Sequence, residues 1–275
     1  MSIVTSRILI PIGFSDQSMI ALGQAFNLAK IKKSEIILLS VIENQNMIES
    51  LFLDDKTHEL QQKVNDKLVE VGKKYATEYD IHVETMVAKG RVYEKIIEVA
   101  EMVNADLIVM GTNGAPKGVM KKVIGTNAER VVRLAHCPVI TIKGKDHKKG
   151  CENIILPLDL ENRTKEKVTL AIEYARYWGA TIRVVSVLLK DKQEIKDKLV
   201  RNLNQVKKFI SDANIECSSE LLEGEKGKGL VSCILDYEKK FESDLILIMT
   251  RQEDVFSNKL GTVARKIIYQ SDIPV

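Results

Sequence analysis

The chain carries the same pattern twice. Ile8-Leu9-Ile10-Pro11-Ile12 returns 146 residues later as Ile154-Ile155-Leu156-Pro157-Leu158, and Ala105-Asp106-Leu107-Ile108 returns 138 residues later as Ser243-Asp244-Leu245-Ile246. Gly125-Thr126 and Pro138 reappear as Gly261-Thr262 and Pro274, both at a spacing of 136, so the second copy is about ten residues shorter along the way. A repeat this long is a whole domain, not one turn of a solenoid. The Lys- and Gly-rich stretch from Gly144 to Gly150 reads as the linker, giving domains 1–146 and 147–275.

Each copy alternates short apolar runs with longer amphipathic stretches. Runs such as Leu107 to Met110 are too short for a helix and have the continuous apolar character of a strand buried on both faces. Between them, Ser15 is placed to cap a helix whose core side carries Met19, Ala21, Leu22, Ala25, Phe26 and Ala29. Further helices are expected at about 58–79 and 92–103, and in the second copy at about 164–177 and 191–213. Strands separated by helices of crossover length predict an α/β fold: two tandem doubly wound parallel-sheet domains with helices on both faces. An aromatic content of only 5% suits cores of Ile, Leu and Val.

The most informative segment for function is Ala105 to Gly114 with the Gly125-Thr126-Asn127 that follows. A buried strand ends in a glycine-punctuated loop and runs into a helix, where unpaired backbone N–H groups can receive an anion such as phosphate. Gly111 and Gly114 let the backbone turn and approach a ligand; Thr126 and Asn127 are placed as helix caps. The same strand-loop-helix is equally an ordinary connection of an α/β domain. A Walker loop would need Gly-Lys-Ser/Thr where Pro116-Lys117-Gly118 stands, and a dinucleotide fingerprint would need three glycines after the first strand, where only Gly13 is found.

With 41 basic and 38 acidic residues, a net charge of +3 gives no global argument for a nucleic-acid or anionic-membrane partner, and neither is expected. The basic clusters Lys121-Lys122 and Lys145 to Lys149 read as solvated surface, although Lys117, Lys121 and Lys122 are placed to screen phosphate charge. Cys137, Cys151, Cys217 and Cys233 show neither disulfide nor zinc spacing, and His136 reads as incidental. No leader and no apolar run of membrane-spanning length is seen, so the expectation is a cytoplasmic protein with no metal site.

The order Gly111-x-x-Gly114, a spacer, then Gly125-Thr126 resembles the nucleotide loop of the universal stress protein family. The resemblance extends to Ile8-Leu9-Ile10-Pro11 as strand one, Val41 at the end of strand two, Gly90 after strand three and Cys137-Pro138-Val139-Ile140 as strand five. It implies an open five-stranded sheet of order 3-2-1-4-5, with the ligand crevice between strands one and four. It also implies an adenine nucleotide (ATP, ADP or AMP, with magnesium as an optional companion) bound by Pro11, Ile12, Gly13, Val41, Met110, Gly111, Gly114, Gly125, Thr126 and Asn127. The base would pack on Pro11, Ile12 and Val41, and the phosphates would lie over the glycines, Thr126 and Asn127. Family proteins resembling one half pair through their last strands, which implies pairing of the two domains within the chain and allows a homodimer.

The chain departs from the family pattern in three ways. The spacer from Ala115 to Ile124 has ten residues where the family has nine. Gly13 stands where ATP-binding members carry an Asp, a loss of about 1–3 kcal/mol if that contact is buried and well made. In the second copy Asp159 is present, but Met249 and Gln252 replace Gly111 and Gly114, followed by Glu253 and Asp254, so no triphosphate is expected there. No nucleophile–base pair is apparent, so no catalytic residue is assigned and any ATP hydrolysis would be slow and incidental. The alternative is an adaptor that has lost its nucleotide sites and acts through protein pairing.

Overall fold

The computed structural model of the chain describes residues 5–43, 54–112, 125–144, 148–159, 164–189, 191–224, 228–250 and 261–275. The chain divides into two compact units, Met1–Asp146 and His147–Val275.

In the first unit the elements are β1 (Arg7–Pro11), α1 (Asp16–Lys32), β2 (Glu35–Ile42), α2 (Asp54–Tyr79), β3 (Val83–Lys89), α3 (Val92–Met102), β4 (Leu107–Gly111), α4 (Thr126–Leu134) and β5 (Val139–Ile142). The sheet has the order β3-β2-β1-β4-β5 and every neighbouring pair is parallel. Ile8, Leu9 and Ile10 of β1 are fully buried, as a central strand covered by helices on both faces requires. Ser15 caps α1 as the sequence implies, its Oγ accepting from the Ser18 N–H at 3.3 Å. The α2 helix begins at Asp54, ahead of the expected 58. Its Tyr75 and Tyr79 pack on Phe26 of α1, with ring centroids 4.9 and 5.4 Å apart.

The second unit repeats the plan with β6 (Asn153–Pro157), α5 (Thr164–Trp178), β7 (Thr181–Leu188), α6 (Gln193–Asp212), β8 (Cys217–Glu223), α7 (Leu230–Lys240), β9 (Leu245–Ile246) and α8 (Thr262–Gln270). Among the described residues its sheet has four strands where five are expected, in the order β8-β7-β6-β9. The fifth position is nonetheless marked: the Ile246 N–H donates to the Pro274 carbonyl at 3.0 Å, as the Ile108 N–H donates to Pro138 at 3.0 Å where β5 begins.

The aspartate of the repeated Asp-Leu-Ile motif has a structural task in both units. Asp106 Oδ2 accepts from the Arg7 N–H at 2.8 Å while the Asp106 N–H donates to the Arg7 carbonyl at 2.9 Å, which fixes the start of β1 beside β4. In the second unit Asp244 Oδ2 accepts from the N–H groups of both Glu152 and Asn153, at 2.8 and 3.1 Å. Asp244→Ala leaves both amides without that acceptor, so it should destabilise the second unit by roughly 2–3 kcal/mol. Trp178, the single tryptophan of the chain, lies in α5, and its fluorescence during urea unfolding measures the loss. The cost of Asp106→Ala, which frees one amide, should be about half as large.

Candidate functional site

Strand order reverses between β1 and β4. A cavity of about 440 Å³ opens there. Pro11, Ile12, Gly13, Val41, Met110, Gly111, Gly125, Thr126 and Asn127 all line it. Gly114, the remaining residue expected at the site, lies outside the described residues, as do Lys117, Lys121 and Lys122. Ser15, Ser18, Leu39, Val92, Ile96, Thr112 and Ala128 line it as well. The sequence signals only Ser15, as a cap; the others are brought in by the strand register and by the first turns of α1, α3 and α4.

One wall is apolar, built from Ile12, Leu39, Val41 and Ile96. It is held in register by the Ile12 N–H donating to the Leu39 carbonyl at 2.8 Å. The start of α4 also lines the cavity. The helix cap is Gly125, with no side-chain hydrogen bond, so Thr126 and Asn127 are the first two helical residues and not the caps that the sequence implies. The reason is a backbone tie: the Gly125 N–H donates to the Thr112 carbonyl at 2.9 Å, and the Gly125 carbonyl accepts from Glu129 at 3.1 Å. Helix geometry then leaves the N–H groups of Thr126, Asn127 and Ala128 without an intrahelical acceptor. At the other edge of the cavity Ser15 and Ser18 are mutually bonded, the Ser18 hydroxyl donating to the Ser15 carbonyl at 2.8 Å. Between β1 and α1, Phe14 holds φ at 55°, a strained conformation for a bulky residue, with Lys67 Nζ 4.5 Å from its ring.

None of the described residues lining the cavity is ionisable. Among the described residues no three His, Cys, Asp or Glu side chains group as metal ligands, and no helix is long and apolar enough to cross a membrane. All four cysteines are free thiols. Burial pushes Cys137 and Cys217 up to about 11 and Cys151 up to about 12, so these three carry little thiolate near neutral pH. His136 pairs at the surface with Glu101, Nε2 to Oε1 at 2.6 Å, at a distance along β4 and β5 from the cavity.

The second unit keeps the frame and changes the contents. Gly261 caps α8 with φ −52° and ψ 137°, close to the −55° and 134° of Gly125. Met249 stands in the register of Gly111, although β9 pairs with β6 over two residues just as β4 does with β1. Lys167, in the place of the fully buried Ala21, is itself buried, its Nζ 2.6 Å from the Pro157 carbonyl at the end of β6. Val187, in the place of Val41, is part of a core cluster with Ile155, Val231 and Ile246. Gln252, Glu253 and Asp254 lie outside the described residues.

The glycines of the first unit serve different ends. A Cβ on Gly111 would lie 3.0 Å from the Gln17 carbonyl oxygen and 3.1 Å from its carbon, so it is the backbone of α1, not only a ligand, that comes close here. A Cβ on Gly13 meets nothing within 4 Å. Gly111→Ala is therefore expected to destabilise the first unit by about 1–3 kcal/mol, because backbone cannot yield as a side chain can. Gly13→Ala should stay within about 0.5 kcal/mol of the parent; denaturant titration followed by far-UV circular dichroism compares the two.

The comparisons with known proteins agree with this architecture. The model of the universal stress protein family matches residues 5–143. A universal stress protein of Methanocaldococcus jannaschii is 33% identical over 141 residues, covering 50% of this chain and 81% of its own length. One from Synechocystis is 32% identical over 144 residues, covering 51% of this chain and 87% of its own. The crystal structure of a universal stress protein from Archaeoglobus fulgidus covers 99% of this chain and 98% of its own with a TM-score of 0.81, at 21% identity, and so shows the shared two-unit fold. With the family model spanning the unit that holds the crevice, and single-unit relatives aligning to half the chain, the protein belongs to the universal stress protein family.

Proposed function

We propose that the first unit binds an adenine nucleotide in the crevice between β1 and β4, and that the protein works as a ligand-responsive stress factor. The observation that carries this reading is the pairing, across one cavity, of an apolar wall with a helix start whose amides lack acceptors. Pro11, Ile12 and Val41 suit the faces of a base, and a volume of about 440 Å³ is that of a small-molecule site. The phosphates fall to the N–H groups of Thr126, Asn127 and Ala128, since that of Gly125 is already used. Gly111 lines the same cavity, and magnesium would travel with the polyphosphate.

Binding fits better than turnover. The described lining offers no carboxylate or imidazole to act as a general base, so any hydrolysis would be slow. In the second unit Lys167 and Met249 occupy the corresponding region, and a triphosphate would find no cradle there. The edge strand β5, paired on one side by β4, is the surface through which units would associate, within the chain or between two chains. Free thiols suit a cytoplasmic setting.

A carboxylate placed on the first residue of α4 separates binding from folding. Thr126→Glu favours the positive end of the helix by about 0.3–1 kcal/mol and yet repels phosphate. The variant should fold at least as well as the parent and bind ATP at least about tenfold more weakly, a loss of about 1.4 kcal/mol. Calorimetric titration of both proteins with ATP and magnesium reads the difference. No detectable binding by the parent at millimolar ATP would favour the adaptor reading instead.

A further inference from the structure

In the first unit Ala100, Ala105 and Ala135 line one cavity at the end of the sheet where β4 and β5 begin, opposite to the crevice. Matching backbone bonds identify their counterparts. Ala105 N–H to the Ala100 carbonyl at 2.8 Å, and Ala135 N–H to Val131 at 2.8 Å, recur as Ser243 N–H to Glu238 at 3.1 Å and Ser271 N–H to Ile267 at 2.8 Å. Three methyl groups have thus become a carboxyl and two hydroxyls. They are not at the surface: Glu238 and Ser243 are 4% exposed and Ser271 is 1% exposed. Polar groups buried where alanine would serve cost free energy of desolvation, and the fold of the first unit does without them.

Glu238 lies on α7, and its hydrogen-bond donors lie at the end of α8. The Ser271 hydroxyl is 3.3 Å from Glu238 Oε2 and 3.0 Å from the Ile273 carbonyl, and it accepts from the Ile273 N–H at 3.2 Å. The Asp272 N–H also donates to the carboxyl. The charges around it do not stabilise its anion well. Asp272 opposes ionisation and Lys239, the next residue on α7, favours it. Arg265 and Lys266 of α8 are exposed to solvent. Arg183 of β7 is taken by the Phe241 ring, 4.3 Å away, and by Asn153 Oδ1 at 2.8 Å, while Glu220 of β8 acts on Tyr237. The carbonyl end of α8 adds a partial negative charge. Ser243 Oγ, in the place of the Ala105 methyl that lines the first unit's cavity, is buried and has no hydrogen-bond partner among the described residues.

We propose that Glu238, Ser243 and Ser271 form a proton-operated clasp between α7 and the end of α8, which closes when Glu238 is protonated, so that the second unit tightens as pH falls. Protonation removes a buried charge and supplies an O–H donor that the Ser271 hydroxyl, 3.3 Å away, accepts, leaving the hydroxyl hydrogen to the Ile273 carbonyl at 3.0 Å. Burial holds the carboxyl above its ordinary value of 4.5 in the folded unit. The clasp's contribution is therefore complete below about pH 4.5 and is lost as pH rises through the raised folded value. The device is independent of the nucleotide crevice.

The test is urea unfolding of the full chain, followed by Trp178 fluorescence, from about pH 4.5 to about pH 8. Glu238→Gln keeps an acceptor for Ser271 and cannot titrate. It should match the parent at the acid end and unfold at higher urea at the alkaline end, the ratio of the two unfolding constants changing by up to about tenfold per pH unit. A ratio that is constant with pH, or that changes in the opposite direction, overturns the proposal. Glu238→Ala, which supplies the residue of the first unit, should abolish the same pH-dependent part whatever its fixed cost; its persistence there overturns the proposal as well.

Discussion

A strand hydrogen-bonded on both edges and covered on both faces leaves no freedom to its neighbours, and β1 is such a strand. Its partners are β2 over Arg7 to Pro11 and β4 over Ile8 and Leu9. Once β2 and β3 have been laid down on one side, the chain must cross to the other, and the strand order reverses between β1 and β4. The crevice is thus a product of topology before any ligand is considered. The same crowding explains Gly111, where β4 passes so close to α1 that a methyl group would press on the Gln17 carbonyl.

Much of this was legible in the sequence because it rests on burial. Runs such as Ile8-Leu9-Ile10 have no alternative to a central strand, and the repeat of Pro11 as Pro157 disclosed a second sheet. What the sequence hid was the bookkeeping of backbone groups. Thr126 and Asn127 look like caps because of their side chains, but a main-chain bond from Gly125 to Thr112 claims the cap position. The glycine at 111 looks like a ligand contact and is also a packing contact. Leu39, Val92 and Ile96 carry no signature of a site at all, since an apolar residue facing a cavity and one facing the core read alike. The short β9 was likewise invisible, since Leu245 to Met249 is as apolar as the β4 sequence it parallels.

Held side by side, the two units show how far the contents of one frame can diverge while its main-chain connections persist. The Asp-Leu-Ile entry to the fourth strand, the bond at the end of the first strand and the glycine start of the last helix are common to both. Side chains have moved in contrary directions. At the carboxyl ends of the strands the second unit gains Lys167 and a Cβ at Met249; at the amino ends it exchanges alanines for Glu238, Ser243 and Ser271. One unit keeps an open uncharged cavity, and the other has placed its polar groups inside.

The bond between Thr112 and Gly125 carries a consequence for how such a chain can change. It pins the exit of β4 to the entrance of α4 at 2.9 Å, so the twelve intervening residues leave and return at fixed points. Lengthening a tethered excursion of this size by one residue costs only a small increment of closure entropy. A change of one residue in the count between Thr112 and Gly125 can therefore be absorbed without re-aiming α4, whose start stays tied to the end of β4.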